Sequence, residues 1–121
     1  RAQGVTWIET DVLAWTPARR WGLWHDRAAF HFLTDPIDRG RYLATLPRAL
    51  LPGGTIVIGT FAMDGPAQCS GLPVAHYDET SLTATLSAAL PIEVLDTRRQ
   101  VHVTPAGVEQ PFVWLTARAA S

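Results

Sequence analysis

The sequence predicts an α/β domain whose sheet is mostly parallel and closes on an antiparallel hairpin. Three observations carry this expectation. Apolar, β-branched runs alternate with segments of helical spacing, as strands joined by crossover helices do. Thr55 to Phe61, TIVIGTF, is apolar on both faces, as in a strand covered on both sides. Near the end, Ile92 to Val103 and Val108 to Ala117 alternate as strands, joined by the turn residues Thr104-Pro105-Ala106-Gly107.

The elements follow in order. Val5-Thr6-Trp7-Ile8 reads as a short strand, with Glu9-Thr10-Asp11-Val12 at its carboxyl end. Trp15 to Arg20 contains Thr16-Pro17 and reads as a loop. Trp21 to Asp26 is a second strand, apolar until His25-Asp26, and Ala28 to Leu33 makes one or two helical turns. Asp35 caps and Pro36 opens a helix over Ile37 to Leu50, with Ile37, Tyr42, Leu43, Leu46 and Leu50 at helical spacing. Pro47 should kink or end it. Pro52-Gly53-Gly54 turns the chain into the buried strand. Met63 to Ala75, punctuated by Gly and Pro, is a long loop of the kind that often carries function. Asp78 caps a helix over Glu79 to Leu90, with Leu82, Leu86 and Leu90 on one face.

Composition narrows the function. The 121 residues suffice for one domain, and 47% apolar with 17% charged residues is the balance of a globular protein with a packed core. A net charge of -1 offers no basic surplus for nucleic acid or an anionic membrane. No apolar run approaches the ~18 residues of a membrane span. The single cysteine, Cys69, excludes an internal disulfide and fits a reducing, cytoplasmic compartment. The chain opens on Arg1 rather than Met, so a product lacking its upstream part is expected.

Chemistry concentrates in Trp24 to Leu33, WHDRAAFHFL. Open parallel sheets bind ligands at the carboxyl ends of their strands, where His25, Asp26 and Arg27 would stand. Imidazoles titrate near neutral pH, so His25 suits a general base, with Asp26 orienting it. Arg27 would hold Asp26 or grip an acidic ligand; a plain ion pair closing the strand is the competing reading. His31, between Phe30 and Phe32, is either a satisfied structural histidine or a ligand contact. A metal site from His25, Asp26 and His31 matches no familiar zinc spacing. Phe30, Phe32, Trp24 and Trp21 either wall an apolar pocket or fill the core, the latter preferred for Trp21 and Phe32. In the long loop, Cys69 and Ser70 are substrate contacts or ordered surface. Cys69 has no basic neighbour to activate it, and hydrolysis by His25, Asp26 and Ser70 lacks a G-x-S-x-G turn. His102, Thr104 and Gln110 read as a polar set stabilising the hairpin.

Ile8-Glu9-Thr10-Asp11-Val12, Leu50-Leu51-Pro52-Gly53-Gly54 and the passage from Cys69 to Asp78, in this order and ahead of a terminal hairpin, resemble class I S-adenosylmethionine-dependent methyltransferases. The resemblance covers the whole chain but only the second half of the family's domain. WHDRAAFHFLTDP, TFAMDGPAQCSGLPVAHYD and HVTPAGVEQPF are similar to one bacterial subgroup. The resemblance implies a Rossmann-like sheet from which the family's first two strands are missing. It implies S-adenosylmethionine as cofactor, with the Asp11 carboxylate meeting the adenine amino group and the Val12 N–H an adenine ring nitrogen. His25 and Asp26 would stand beside the sulfonium, with Arg27, Phe30, His31, Cys69 and Ser70 on the acceptor side. The family's glycine-rich loop and its ribose-holding acidic residue are absent, so activity of this chain alone is in question. Without those strands, Trp21 to Asp26 becomes an exposed apolar edge and Val5 to Ile8 has no sheet neighbour. No basic groove is apparent, which favours a small-molecule acceptor. The rival expectation is a non-catalytic fragment that pairs this edge with a second copy or a complementing chain.

Overall fold

The computed structural model describes Thr6 and residues 8–120. The chain forms β1 (Trp21–Arg27), a 3-10 turn (Phe30–Phe32), α1 (Pro36–Ala49) and β2 (Leu50–Phe61). A small hairpin of β3 (Gln68–Cys69) and β4 (Leu72–Pro73) follows, then α2 (Glu79–Ser87), β5 (Ile92–Val103) and β6 (Glu109–Ala119). The main sheet runs β1-β2-β6-β5. β1 and β2 are parallel, while β6 is antiparallel to both β2 and β5. Three of the four strands thus share one direction, and the last strand threads between β2 and β5 instead of ending on the edge. The expected strand over Val5 to Ile8 falls partly outside the described residues; Thr6 and Ile8 carry no regular structure.

Local chemistry sets the boundaries. The Asp35 side chain accepts from Ile37 N (2.8 Å), and Pro36 opens α1 with its fixed φ. Helix α1 continues two residues past Pro47. So close to the helix end the missing N–H costs one bond, and Leu50 N still reaches Leu46 O. Asp78 and Ser81 form a reciprocal capping box on α2. That helix ends at Ser87, short of the expected Leu90. Pro91 disfavours helical backbone at Leu90, and the chain tightens through Ala89 N to Leu86 O (3.0 Å). β2 starts five residues earlier than expected: Trp21 pairs with Leu50 and Leu23 with Thr55. The intervening residues of β2 bulge outward, with Gly53 in the left-handed region at φ 76°.

Strand alternation separates two faces. Ile56, Ile58 and Thr60 stand opposite Ala117, Leu115 and Val113. Together with Tyr42 and Leu46 of α1 and Leu82 and Leu86 of α2, the apolar members of this face make the main core. Both helices therefore cover the same face. On the other face Phe61 and Phe112 form a smaller cluster with Val74, against which Ala28, Phe32, Cys69 and Trp114 pack. Only this end of the second face is roofed, by the segment after β2. Among the described residues no helix covers the rest of it, and none is long and apolar enough to cross a membrane.

Trp114 lies flat on this second face, its Nε1 donating to Gln100 Oε1 (3.0 Å). It rests on Gly59, its partner across β2 and β6, where an added Cβ would meet the indole ring at 2.7 Å. Gly59→Ala should therefore lower stability by ~1–3 kcal/mol through overpacking. A urea unfolding series with unchanged m-value and lowered midpoint would bear this out. A midpoint equal to that of the unaltered chain would mean the indole moves aside freely.

Candidate functional site

The carboxyl end of β1 is organised by Asp26, whose side chain is buried on the helical face beneath α1. Oδ1 accepts from Ala29 N (2.9 Å) and Oδ2 from Phe30 N (3.1 Å), which caps the 3-10 turn. The Tyr42 hydroxyl donates a short hydrogen bond to Oδ2 and itself accepts from Trp24 Nε1 (2.9 Å). Burial and the adjacent Asp26 carboxylate both push the Tyr42 phenol well above its usual range, so it remains a donor. Between strand and turn sits Ala28, a non-glycine residue at φ 61°. Its N–H is tied to Gly59 O (2.9 Å) on β2.

His25 and Arg27, two residues apart, project to the opposite face. His25 is exposed and stands 6.0 Å, ring to ring, from Trp114. The Arg27 guanidinium lies 5.7 Å above the Phe112 ring. The structure thus joins His25 and Arg27 to the aromatics of β6. It does not bring Asp26 to either: their side chains stand on opposite faces of the sheet, and every partner of the carboxylate belongs to the helical side.

His31 is fully buried beside Phe61, with ring centroids 4.6 Å apart. Its Nδ1 accepts from Phe61 N (3.0 Å), so the neutral ring carries its proton on Nε2. That Nε2 is buried without a hydrogen-bond partner among the described residues. Burial, with nearby His76 adding to it, pushes the His31 pKa down to about 4. Phe30 is also fully buried, against Tyr42 (4.8 Å) and Tyr77 (5.7 Å) in the main core.

The remaining candidates are dispersed. Asp11 is exposed, and its Oδ1 accepts from Leu13 N (2.9 Å), closing a local turn. No hydrogen bond to its Oδ2 is formed among the described residues. Val12 is half-buried against the main core. Cys69 packs on the Phe61 cluster, and Ser70 forms the tip of the β3–β4 hairpin at φ 51°, followed by Gly71 at 78°. His102 pairs with Gln110 across the terminal hairpin, and the Thr104 hydroxyl accepts from Val108 N (3.1 Å). Among the described residues no three His, Cys, Asp or Glu side chains converge on one point. Sequence reasoning placed Tyr42 only on an apolar helix stripe. A phenol in such a stripe needs a buried partner, and that was the available signal.

No family model and no curated protein matches the chain. Solved structures do. An S-adenosylmethionine-dependent methyltransferase from Methanosarcina mazei superposes with TM-score 0.74 at 14% identity, over 92% of this chain and 65% of its own. The 1,6-didemethyltoxoflavin-N1-methyltransferase of Burkholderia thailandensis, holding 1,6-didemethyltoxoflavin and S-adenosylhomocysteine, gives 0.72 at 24% identity, over 94% of this chain and 50% of its own. The N-methyltransferase NodS of Bradyrhizobium japonicum with S-adenosylhomocysteine gives 0.66 at 17%, over 96% and 55%. This chain has the class I methyltransferase fold over nearly its whole length and spans about half to two thirds of these proteins.

The depressed His31 pKa makes stability depend on pH. Between about 4 and 6.5 the unfolded chain binds a proton at His31 that the folded chain does not. The contribution is complete above the unfolded value and is lost as pH falls through the folded one, ~3 kcal/mol in all. Urea unfolding at pH 7 and pH 4.5 should show this fall, and His31→Asn, which keeps an acceptor for Phe61 N, should flatten it. Equal pH slopes in the two proteins would remove His31 as the cause.

Proposed function

We propose that this chain, with its class I methyltransferase fold, is the carboxyl-terminal portion of an enzyme that moves a methyl group from S-adenosylmethionine to a small molecule. The observation that carries the reading is the sheet itself: parallel β1 and β2, with an antiparallel last strand set between β2 and β5. Ligands of open α/β sheets gather at the carboxyl ends of the parallel strands, where His25, Arg27 and the Asp26-capped turn stand. When bound, the cofactor supplies an electrophilic methyl group on a sulfonium.

The chain's own residues would position and desolvate the reactants, which is the larger part of such catalysis. Asp11, on an exposed turn with one carboxylate oxygen unbonded among the described residues, and Val12 next to it suit an adenine edge. His25, exposed beside Trp114, is placed to accept the proton that an acceptor N–H or O–H loses as its new bond to carbon forms. Arg27 would steady an anionic acceptor, and Cys69 and Ser70 approach from the hairpin side. Phe30 and His31, both fully buried, would support the acceptor side from beneath without touching a ligand. One of the similar structures holds the small molecule 1,6-didemethyltoxoflavin beside S-adenosylhomocysteine, which supports a small acceptor here. A cytoplasmic location is part of the same reading. The second reading, a non-catalytic piece completed by another chain, draws on the open outer edge of β1, where Leu23 is 57% exposed.

Calorimetric titration of S-adenosylhomocysteine into this chain and into a product with residues upstream of Arg1 separates the readings. Binding by the longer product alone is expected. Silence from both would remove the cofactor, and a dimer or mixed complex on size-exclusion chromatography would then favour the second reading.

A further inference from the structure

A left-handed backbone is strained at an alanine, and such outliers persist only where their surroundings over-determine them. Ala28 is held that way from three sides. Its own N–H is fixed to Gly59 O, and the two N–H groups that follow it, at Ala29 and Phe30, are both fixed to the Asp26 carboxylate. The carboxylate is in turn fixed by Tyr42, sixteen residues away on α1, whose hydroxyl receives the Trp24 indole N–H. The chain of contacts is continuous and lies on the helical face. It adjoins the Arg27–Ala28 peptide at the carboxyl end of β1.

We propose that Tyr42 is a positioning residue: through Asp26 it locks the left-handed turn at Ala28 and so fixes how the end of β1 meets a bound ligand. Asp26 then works as a clamp on backbone N–H groups and carries no proton for His25. The last step, to the ligand, rests on the methyl-transfer reading; the lock itself does not.

Tyr42→Phe removes one hydroxyl and keeps the ring that packs on Phe30 and Trp24. Amide hydrogen exchange at Ala29 and Phe30 should speed up about tenfold, because the clamp loses its anchor. In the longer product S-adenosylhomocysteine affinity should fall about tenfold, the scale of a misplaced binding group. Leu82→Val, a core truncation on α2 that touches none of the clamp's hydrogen bonds, serves as a control for general loss of stability; it should leave both readouts unchanged. Where Tyr42→Phe does not fold, Asp26→Asn carries the test, since an amide cannot accept from both backbone N–H groups and the phenol together. Unaltered exchange at Ala29 and Phe30 overturns the lock. Accelerated exchange with unaltered affinity overturns its role at the ligand. If the unaltered longer product takes up no S-adenosylhomocysteine, the methyl-transfer reading falls and the ligand step with it, while exchange still decides the lock.

Discussion

A sheet with apolar side chains on both faces needs cover on both, and the helices of this chain supply only one. Ile56, Ile58, Leu115 and Ala117 lie under α1 and α2, while the opposite face has the segment after β2 at one end and Trp114 in the middle. Trp114 is fitted to that place: Gly59 leaves room for its ring and Gln100 holds its N–H. An indole lying flat shields the strand beneath it at the cost of one small residue. The remaining surface, with Val57, Thr116 and the exposed His25, stays open. On the proposed reading the rest of an enzyme packs against the part of this face away from His25, and the chain's share of the longer similar structures, 65% and 50%, leaves ample length for it.

Two buried polar side chains hold the 3-10 turn, Asp26 ahead of it and His31 within it, and they are satisfied differently. The Asp26 carboxylate receives two backbone N–H groups and a hydroxyl, enough to offset the desolvation of a charge. His31 has one partner and, among the described residues, one orphaned nitrogen, and burial together with nearby His76 keeps it neutral. The first arrangement joins three elements, β1, the turn and α1. The second ties the turn to the last residue of β2 and weakens as the pH falls. Both sit at the end of the parallel strands, so the geometry of the candidate site is set by hydrogen bonds from beneath it.

What could be read in the sequence was what period and punctuation encode. Ile56 to Ile58 is a β-branched run close after Pro52-Gly53-Gly54, Leu82 and Leu86 have helical spacing, and Thr104-Pro105-Ala106-Gly107 is turn punctuation. Interruptions were harder. The bulge around Gly53 and the last turn before Pro91 depend on which backbone groups find partners, and spacing does not report that. The two-residue strands β3 and β4 are too short for any periodicity, although Ser70-Gly71 is itself a turn signal. The candidate site was legible as a cluster but not as an arrangement. Alternation along β1 puts Asp26 on the face opposite His25 and Arg27, yet the partner that decides its role, Tyr42, lies sixteen residues on and is brought close only by the crossover of α1.

The two edges of the sheet differ in a way that bears on the whole reading. β5 is guarded: it bulges between Val94 and Asp96, and Arg98 and Arg99 stand along it, paired with Asp96 and Asp64. Bulges and charges are how edge strands avoid pairing with other chains. β1 has neither before His25. The irregularity near its start lies in β2, and Trp21, Leu23 and Trp24 make it apolar until His25. A strand so exposed is an aggregation hazard unless something pairs with it, and charged residues are the simplest defence. On the proposed reading, charges spread along β5 and confined to the end of β1 fit β5 as a boundary of the sheet and β1 as a strand beside which another pairs. The unguarded edge lies beside the end of β1 that Asp26 and Tyr42 hold fixed, so whatever completes the sheet would also complete the site.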